Sequence, residues 1–239
     1  MITPRRLPAL LPLLAILATP ALAAEPKPVV ELFTSQGCSS CPPADRVLGE
    51  LAREGRVIAL SLPVDYWDYL GWKDTLAQHT NSMRQRGYAS DRGGRVYTPQ
   101  VVVNGAMQVI GSDRPAIEAA CKSAAAKPAV PVTLARNGSN LEVDIGAGDG
   151  APASVWLLTV TRATPVEIGR GENHGRTITY SNVVRSWQRV AEWNGTPMKS
   201  SVPFSDLNDK DADAVVVLVQ PGSIETPGPV RGASMLELR

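Results

Sequence analysis

The chain has few of the residues that build metal sites and no basic stretch for binding nucleic acid. Its 239 residues include three cysteines and two histidines, and 24 lysines and arginines stand against 23 aspartates and glutamates. A structural zinc site needs four ligands, and beyond Cys38 and Cys41 the remaining cysteine and histidines are not paired at ligand spacing. A near-neutral chain without a basic run is a poor nucleic-acid binder. We expect no cofactor and no nucleic-acid partner.

The sequence also lacks long apolar runs. A shorter run lies near its start. Residues 1–23 combine Arg5 and Arg6 with an apolar run over residues 10–18 and end in Ala21-Leu22-Ala23, which is typical of a secretory signal peptide. The run is too short to span a bilayer, and no later segment is long enough. We expect cleavage before Ala24 and a periplasmic or secreted product without a membrane span.

Two of the three cysteines stand where a strand pattern gives way to a helix pattern. The apolar run over residues 29–33 precedes Cys38 and Cys41, and residues 44–51 follow at helical spacing. A helix N-terminus favours thiolate over thiol through its dipole and its unpaired backbone N–H groups. Cys38 is therefore the expected nucleophile and Cys41 the thiol that resolves a mixed disulfide. Half of a zinc site and a structural disulfide are the alternatives.

The patterning divides the chain near Pro128. Residues 24–127 read as strand, helix, strand, helix, strand, strand, helix, with the second helix beginning after Asp74 and an Asn104-Gly105 hairpin turn joining the last two strands. Residues 128–239 read as short strands separated by turn residues. We expect an α/β domain with a mixed sheet and flanking helices, followed by a small all-β sandwich-like domain packed against it.

The segment from Val29 to Cys41 resembles the first strand and active-site turn of thioredoxin-fold proteins. Pro99, at the entry of the third strand, matches the cis-proline that faces the cysteine pair in that fold. The resemblance implies that Pro99 is cis and that the backbone before it, at Thr98, pairs with a bound substrate chain. Thioredoxin itself has Gly-Pro between the cysteines and a buried acid six residues before the first. Here those positions hold Ser39-Ser40 and Leu32, which leaves the direction of electron flow open.

Over its whole length the chain is similar to a bacterial family of exported thioredoxin-like proteins of unknown function. The segments that carry this likeness are residues 31–45, 84–86, 97–100 and 171–176. The resemblance implies a thioredoxin-like domain followed by a small β domain, and it implies no particular substrate.

The segment Gly171 to Arg176 places an acid, an amide, an imidazole and a guanidinium in one turn. If this loop reaches the cysteines, Arg176 or a charged His174 would stabilise a thiolate and Glu172 could move a proton. An exposed polar hairpin is the alternative.

Three further features favour structural roles or stay undecided. Cys121 shares the apolar helix face of Ile117 and is expected to be buried, with a regulatory or partner-linking thiol as the alternative. His79 has no partner at metal spacing, so a structural role is favoured. The aromatic segment over residues 65–72 follows the second strand, where it forms either a substrate-facing wall or a lid packed on the core.

The sequence therefore predicts an exported thiol–disulfide oxidoreductase that uses Cys38, Cys41 and Pro99. Its partners would be cysteine-containing exported proteins and an upstream redox partner. Two alternatives remain: a module that binds or delivers a soft metal such as Cu(I), and a redox-inert adaptor whose disulfide only closes a turn.

Overall fold

The first half of the chain builds the elements that position the cysteines. The structure is a computed structural model that describes residues 26–91, 94–127, 129–207, 209 and 212–239. The predicted signal peptide and Pro128 lie outside these ranges. The described strands and α-helices are β1 Val29–Thr34, α1 Pro42–Glu54, β2 Ile58–Pro63, α2 His79–Asp91, β3 Gln100–Val103, β4 Met107–Ile110, α3 Arg114–Ala125, β5 Val132–Asn137, β6 Asn140–Ile145, β7 Ala153–Glu167, β8 Thr177–Trp193, β9 Met198–Pro203, β10 Ala214–Gln220 and β11 Gly232–Glu237. Short 3₁₀ helices cover Asp68–Leu70 and Phe204–Asp206.

The local order predicted for the first half is confirmed. Strands β1 and β2 are parallel, and β3 and β4 form an antiparallel hairpin. Asn104 and Gly105 both have positive φ, at 47° and 61°. Those angles suit the two central positions of a tight hairpin turn, where asparagine and glycine are the preferred residues.

The expected fold class is wrong. The described strands form one eight-stranded mixed sheet in the order β11-β10-β7-β8-β2-β1-β3-β4, and a separate three-stranded sheet in the order β5-β6-β9. The molecule is therefore mostly β, and it is not a thioredoxin-like α/β domain followed by a small β-sandwich. The reason is that β8 pairs in parallel with β2 at Ser61 and Val183, so strands from the second half continue the sheet of the first half. The predicted domain boundary at residue 128 stays a prediction.

Apolar faces on both sides of the large sheet explain its strands. In β7, Val155 and Leu157 pack with the small sheet, whereas Trp156 and Leu158 pack in a second core that also contains Phe33 of β1. Strands buried on both faces read as continuous apolar runs, as β7 and β10 do. Because β1 and β7 share a core without being neighbours in the strand order, the sheet curls.

Two helices cover the large sheet near the cysteines. Helices α1 and α3 pack over β1 and β3 in a third core, to which Leu48 and Ile117 belong. The predicted start of the second helix is wrong, because α2 begins at His79. The Asp74 carboxylate caps a turn instead, accepting hydrogen bonds from the backbone N–H groups of Leu76 and Ala77. Asp74 is therefore a cap, as the sequence indicates, but it caps a turn that precedes the helix.

Candidate functional site: a disulfide where β1 meets α1

The two cysteines of the motif form a disulfide at the carboxyl end of β1. Cys38 and Cys41 are bonded to each other, with their Cα atoms 5.4 Å apart. Cys41 occupies the N-cap position of α1, as the sequence predicts. Cys38 is 1% exposed and Cys41 is fully buried. The disulfide is therefore almost fully buried.

The first turn of α1 does not offer the unpaired N–H groups that we expected. Pro42 and Pro43 have no N–H, and the N–H groups of Ala44 and Asp45 donate to the Cys41 carbonyl at 2.8 and 3.1 Å. The Ser40 hydroxyl oxygen lies 3.4 Å from Cys38 Sγ. Stabilisation of a Cys38 thiolate would therefore rest on this hydroxyl and on the helix dipole rather than on backbone donors of the first helical turn.

Pro99 lies at the same end of the sheet as the cysteines. The Thr98–Pro99 peptide bond is cis, which confirms that prediction. Phe33 of β1 is paired with Gln100 of β3, so Pro99 stands beside the end of β1 from which the cysteine turn departs. A Cβ atom added at Gly111 would come within 3.0 Å of Pro99 Cβ and 3.1 Å of Ala44 Cβ. Pro99 and the first turn of α1 therefore flank the same glycine.

The aromatic segment over residues 65–72 packs against the cysteine turn at Gln36 and Gly37. Trp67 Nε1 donates to the Thr98 hydroxyl at 2.8 Å, and a Cβ atom at Gly37 would lie 3.2 Å from Trp67 Cβ. Trp72 Nε1 donates to the Gln36 side-chain oxygen at 2.8 Å. Of the two roles considered for this segment, a substrate-facing wall and a lid packed on the core, the structure supports the lid, because Tyr66 and Trp67 pack against the core that contains Phe33. Trp67 connects the cysteine turn to the Thr98 loop.

The 171–176 loop reaches the cysteine turn through Asn173, and not through one of its charged residues. Asn173 is fully buried, and its amide nitrogen donates to the carbonyls of Gln36 and Cys38, both at 2.9 Å. Glu172, His174 and Arg176 are exposed, and the described contacts do not bring their charged groups to the sulfur atoms. Arg176 instead donates to the Asn173 side-chain oxygen at 3.3 Å. The amide in an otherwise charged turn was the available signal.

Asn173→Ala should destabilise the oxidised protein by about 1–3 kcal/mol, because it leaves the Gln36 carbonyl without its donor and leaves the Cys38 carbonyl with only the Cys41 N–H. Urea unfolding measures the change. The exposed neighbour His174→Ala is the matched control and should change stability by less than about 0.5 kcal/mol. Equal effects of the two substitutions would contradict the anchoring role of the Asn173 amide.

A second group missed in the sequence is the Asp45 carboxyl, which is buried in the first turn of α1. Asp45 is 3% exposed. Burial raises its pKa to about 8, opposed in part by the nearby Thr34 hydroxyl and reinforced by the charge of Asp74. Neither Asp45 oxygen meets hydrogen-bond geometry with another described residue. Outside the cap positions, the sequence pattern of a helix does not show whether an aspartate faces the core or the solvent.

The other sequence candidates lie apart from the disulfide chemistry. Cys121 is a free, half-buried thiol on α3 whose pKa is raised to about 11, mainly by burial. His79 lies at the surface with Nδ1 2.8 Å from an Asp65 carboxylate oxygen. The described residues contain no group of three potential metal-ligating side chains. No described helix has the length and apolar character needed to cross a membrane.

Together these observations define a β-rich protein with a Cys-x-x-Cys disulfide between a buried strand and a helix N-terminus. A family model described as "Protein of unknown function (DUF1223)" matches residues 29–220, and the chain belongs to that family. The prediction of a family of unknown function is confirmed to that extent.

Two solved structures are similar to the chain. A protein of Agrobacterium tumefaciens, whose crystal structure was determined as a structural-genomics target, is 39% identical, with a TM-score of 0.79 over 89% of this chain and 94% of that one. HBP35 of Porphyromonas gingivalis is 14% identical, with a TM-score of 0.53 over 90% of this chain and 76% of that one, a likeness that concerns the fold alone. None of the curated proteins is significantly similar to this chain.

Proposed function

We propose that the protein is an exported thiol–disulfide oxidoreductase that acts on cysteine-containing proteins. The observation that carries this proposal is the Cys38–Cys41 disulfide at the junction of β1 and α1. In the reducing direction, Cys38 Sγ attacks a client disulfide and releases one client thiolate. Cys41 Sγ then attacks Cys38 Sγ, closing the internal disulfide and releasing the second client thiolate. The reverse sequence oxidises a client dithiol, and an upstream redox partner restores the starting state.

The position of Thr98 and Pro99 supports a polypeptide client. The chain resembles thioredoxin-fold proteins at residues 29–41 and 96–101, and those proteins pair a substrate backbone at the residue before the proline. In this protein, Thr98 and Pro99 stand at the sheet end that carries the cysteines. Tyr97 and Val96, just before them, are among the exposed large apolar side chains and offer contacts to an unfolded client.

The burial of Cys38 sets a condition on this reaction. Cys38 is 1% exposed, so a protein disulfide reaches its sulfur only if a covering group moves. The indole nitrogen of Trp67 is held by the Thr98 hydroxyl at 2.8 Å, and its neighbour Tyr69 is 78% exposed. We expect a client chain that pairs with Thr98 to compete for this contact and to displace Trp67.

A trapping experiment tests the proposed function. Cys41→Ser is expressed with the signal sequence in a Cys121→Ser background, the cells are quenched with acid, and disulfide-linked proteins are identified. Without its resolving thiol the enzyme should accumulate discrete mixed disulfides through Cys38, which reducing agent releases. The matched control carries Cys38→Ser as well and should accumulate none.

Two other outcomes would reject an oxidoreductase. If no adduct forms and the wild-type protein purifies with stoichiometric copper, the thiolates hold a soft metal instead. If neither adducts nor copper are found, the disulfide only closes the turn and the protein is a redox-inert adaptor.

A further inference from the structure

Three buried side chains with unpartnered polar atoms, those of Thr34, Asp45 and Tyr180, lie near one another where β1 meets α1. Both carboxyl oxygens of Asp45 and the hydroxyls of Thr34 and Tyr180 lie outside hydrogen-bond geometry with the other described residues, although the Thr34 hydroxyl is near enough to lower the Asp45 pKa. Thr34 ends β1, Asp45 lies in the first turn of α1 and Tyr180 comes from β8. Because an unpaired buried polar group is costly, several of them in one region next to a reactive pair call for a functional explanation.

The helix geometry directs Asp45 toward Cys41. The two residues are four apart, and the Asp45 backbone N–H donates to the Cys41 carbonyl at 3.1 Å. Residues four apart in a helix share a face, and their side chains tilt toward the helix N-terminus. The Asp45 carboxyl is therefore positioned over the turn that contains Cys41. Since Cys41 is fully buried, its thiol has no direct route for a proton to bulk water.

We infer that Asp45 is the group that takes the proton from the Cys41 thiol and returns it, an inference that rests on the proposed dithiol exchange. In the resolving step the Asp45 carboxylate accepts the Cys41 proton, the Cys41 thiolate attacks Cys38 Sγ, and the bond from Cys38 Sγ to the client sulfur breaks. The client leaves as a thiolate, which takes a proton from water. In the reverse direction a client thiolate attacks Cys38 Sγ, and protonated Asp45 gives its proton to the departing Cys41 thiolate.

The electrostatic surroundings suit this exchange. Burial raises the Asp45 pKa from 3.8 to about 8, so its carboxylate is a much stronger base than an exposed aspartate. The titratable groups that act on Asp45 are Asp74 from the turn before α2 and Tyr180 from β8, and Cys41 stands at the N-cap of the same helix. Burial also raises the pKa of Asp74, whose carboxylate accepts three backbone N–H bonds.

A two-phase colour assay separates the steps. The reduced protein, in a Cys121→Ser background, is mixed with the symmetrical disulfide of thionitrobenzoate. Attack by Cys38 releases the first coloured thiolate, and resolution by Cys41 releases the second. Asp45→Asn should slow the second phase roughly 100-fold at neutral pH and leave the first phase within about twofold. In the protein that keeps Asp45, the rate of the second phase should level off near pH 8. In Asp45→Asn this rate should keep rising above that pH.

The matched control is Tyr180→Phe, which removes one of these unpartnered hydroxyls and keeps the ring. It should leave both phases within about twofold. Equal slowing by Tyr180→Phe, or an unchanged second phase in Asp45→Asn, would overturn the assignment. Should Asp45→Asn fail to fold, infrared difference spectra of oxidised and reduced wild-type protein with ¹³C-labelled aspartate decide the question. A protonated carboxyl band that changes with the redox state supports it, and an unchanged band rejects it.

Failure of the proposed function gives a different pattern. If trapping finds no client while Asp45→Asn still slows the second phase, Asp45 transfers the proton of Cys41, but the proposed exchange with client proteins is rejected. If clients are trapped and the second phase is unaffected, the oxidoreductase holds and Asp45 has no part in it.

Discussion

Arg84→Met is expected to lower the free energy of unfolding by about 3–5 kcal/mol, because it leaves the carboxylate of Glu31 buried without its cation. Arg84 and Glu31 are both fully buried, and Arg84 Nε donates to a Glu31 oxygen at 2.7 Å. The second Glu31 oxygen accepts from the Tyr88 hydroxyl at 2.6 Å, and Arg84 Nη2 donates to Gln220 at 2.8 Å. This network ties β1 to α2 and to β10 at the far side of the curled sheet.

The measurement is chemical denaturation of the oxidised protein, with Arg86→Met as the matched control. Arg86 lies two residues further along the same helix and is exposed, so its replacement should cost less than about 0.5 kcal/mol. The double variant Glu31→Met with Arg84→Met should recover part of the loss, because no unpaired charge then stays buried. If the double variant loses as much unfolding free energy as the two single variants together, the two side chains are not coupled and the expectation is wrong.

The stability of the oxidised wild-type protein should fall as the pH rises from about 4 to about 8, through the Asp45 carboxyl. In the folded protein this pKa is raised from 3.8 to about 8 by burial. The folded state therefore keeps a proton that the unfolded chain releases above its own pKa, and the stabilisation present at low pH is lost across this window. Over four units of pKa this amounts to on the order of 5 kcal/mol.

Denaturation at several pH values checks this expectation by comparing wild-type protein with Asp45→Asn. The variant cannot release that proton, so the difference between the two curves should develop between about pH 4 and pH 8 and stay constant above. Asp149→Asn, the same change at an exposed position, should give a curve parallel to the wild type. If the Asp45→Asn curve is parallel as well, the buried carboxyl is already ionised at neutral pH.

Short-range patterns predicted the cysteine turn and the elements around it. Residues 29–33 and the spacing of the cysteines are local features, and the structure has β1 and the α1 N-terminus where they indicate. The cis bond at Pro99 was implied by the resemblance to thioredoxin-fold proteins and not by a local pattern. In contrast, β5 and β11 were not predicted. Val132–Asn137 has four exposed residues of six, and Gly232–Glu237 begins with a glycine, so neither shows the apolar alternation expected of a half-buried strand.

The sequence by itself determined the place of the dithiol, because strand and helix periodicity and the caps are properties of residues within a few positions of each other. Only the tertiary structure decided that β8 pairs with β2, which joins both halves into one sheet. It also decided that Asn173 reaches Cys38 across 135 positions, and that Asp45 and Arg84 face the interior rather than solvent. Pairing between distant strands and the burial of a charge depend on which surfaces meet, and a one-dimensional pattern records only the side chains that are available to meet.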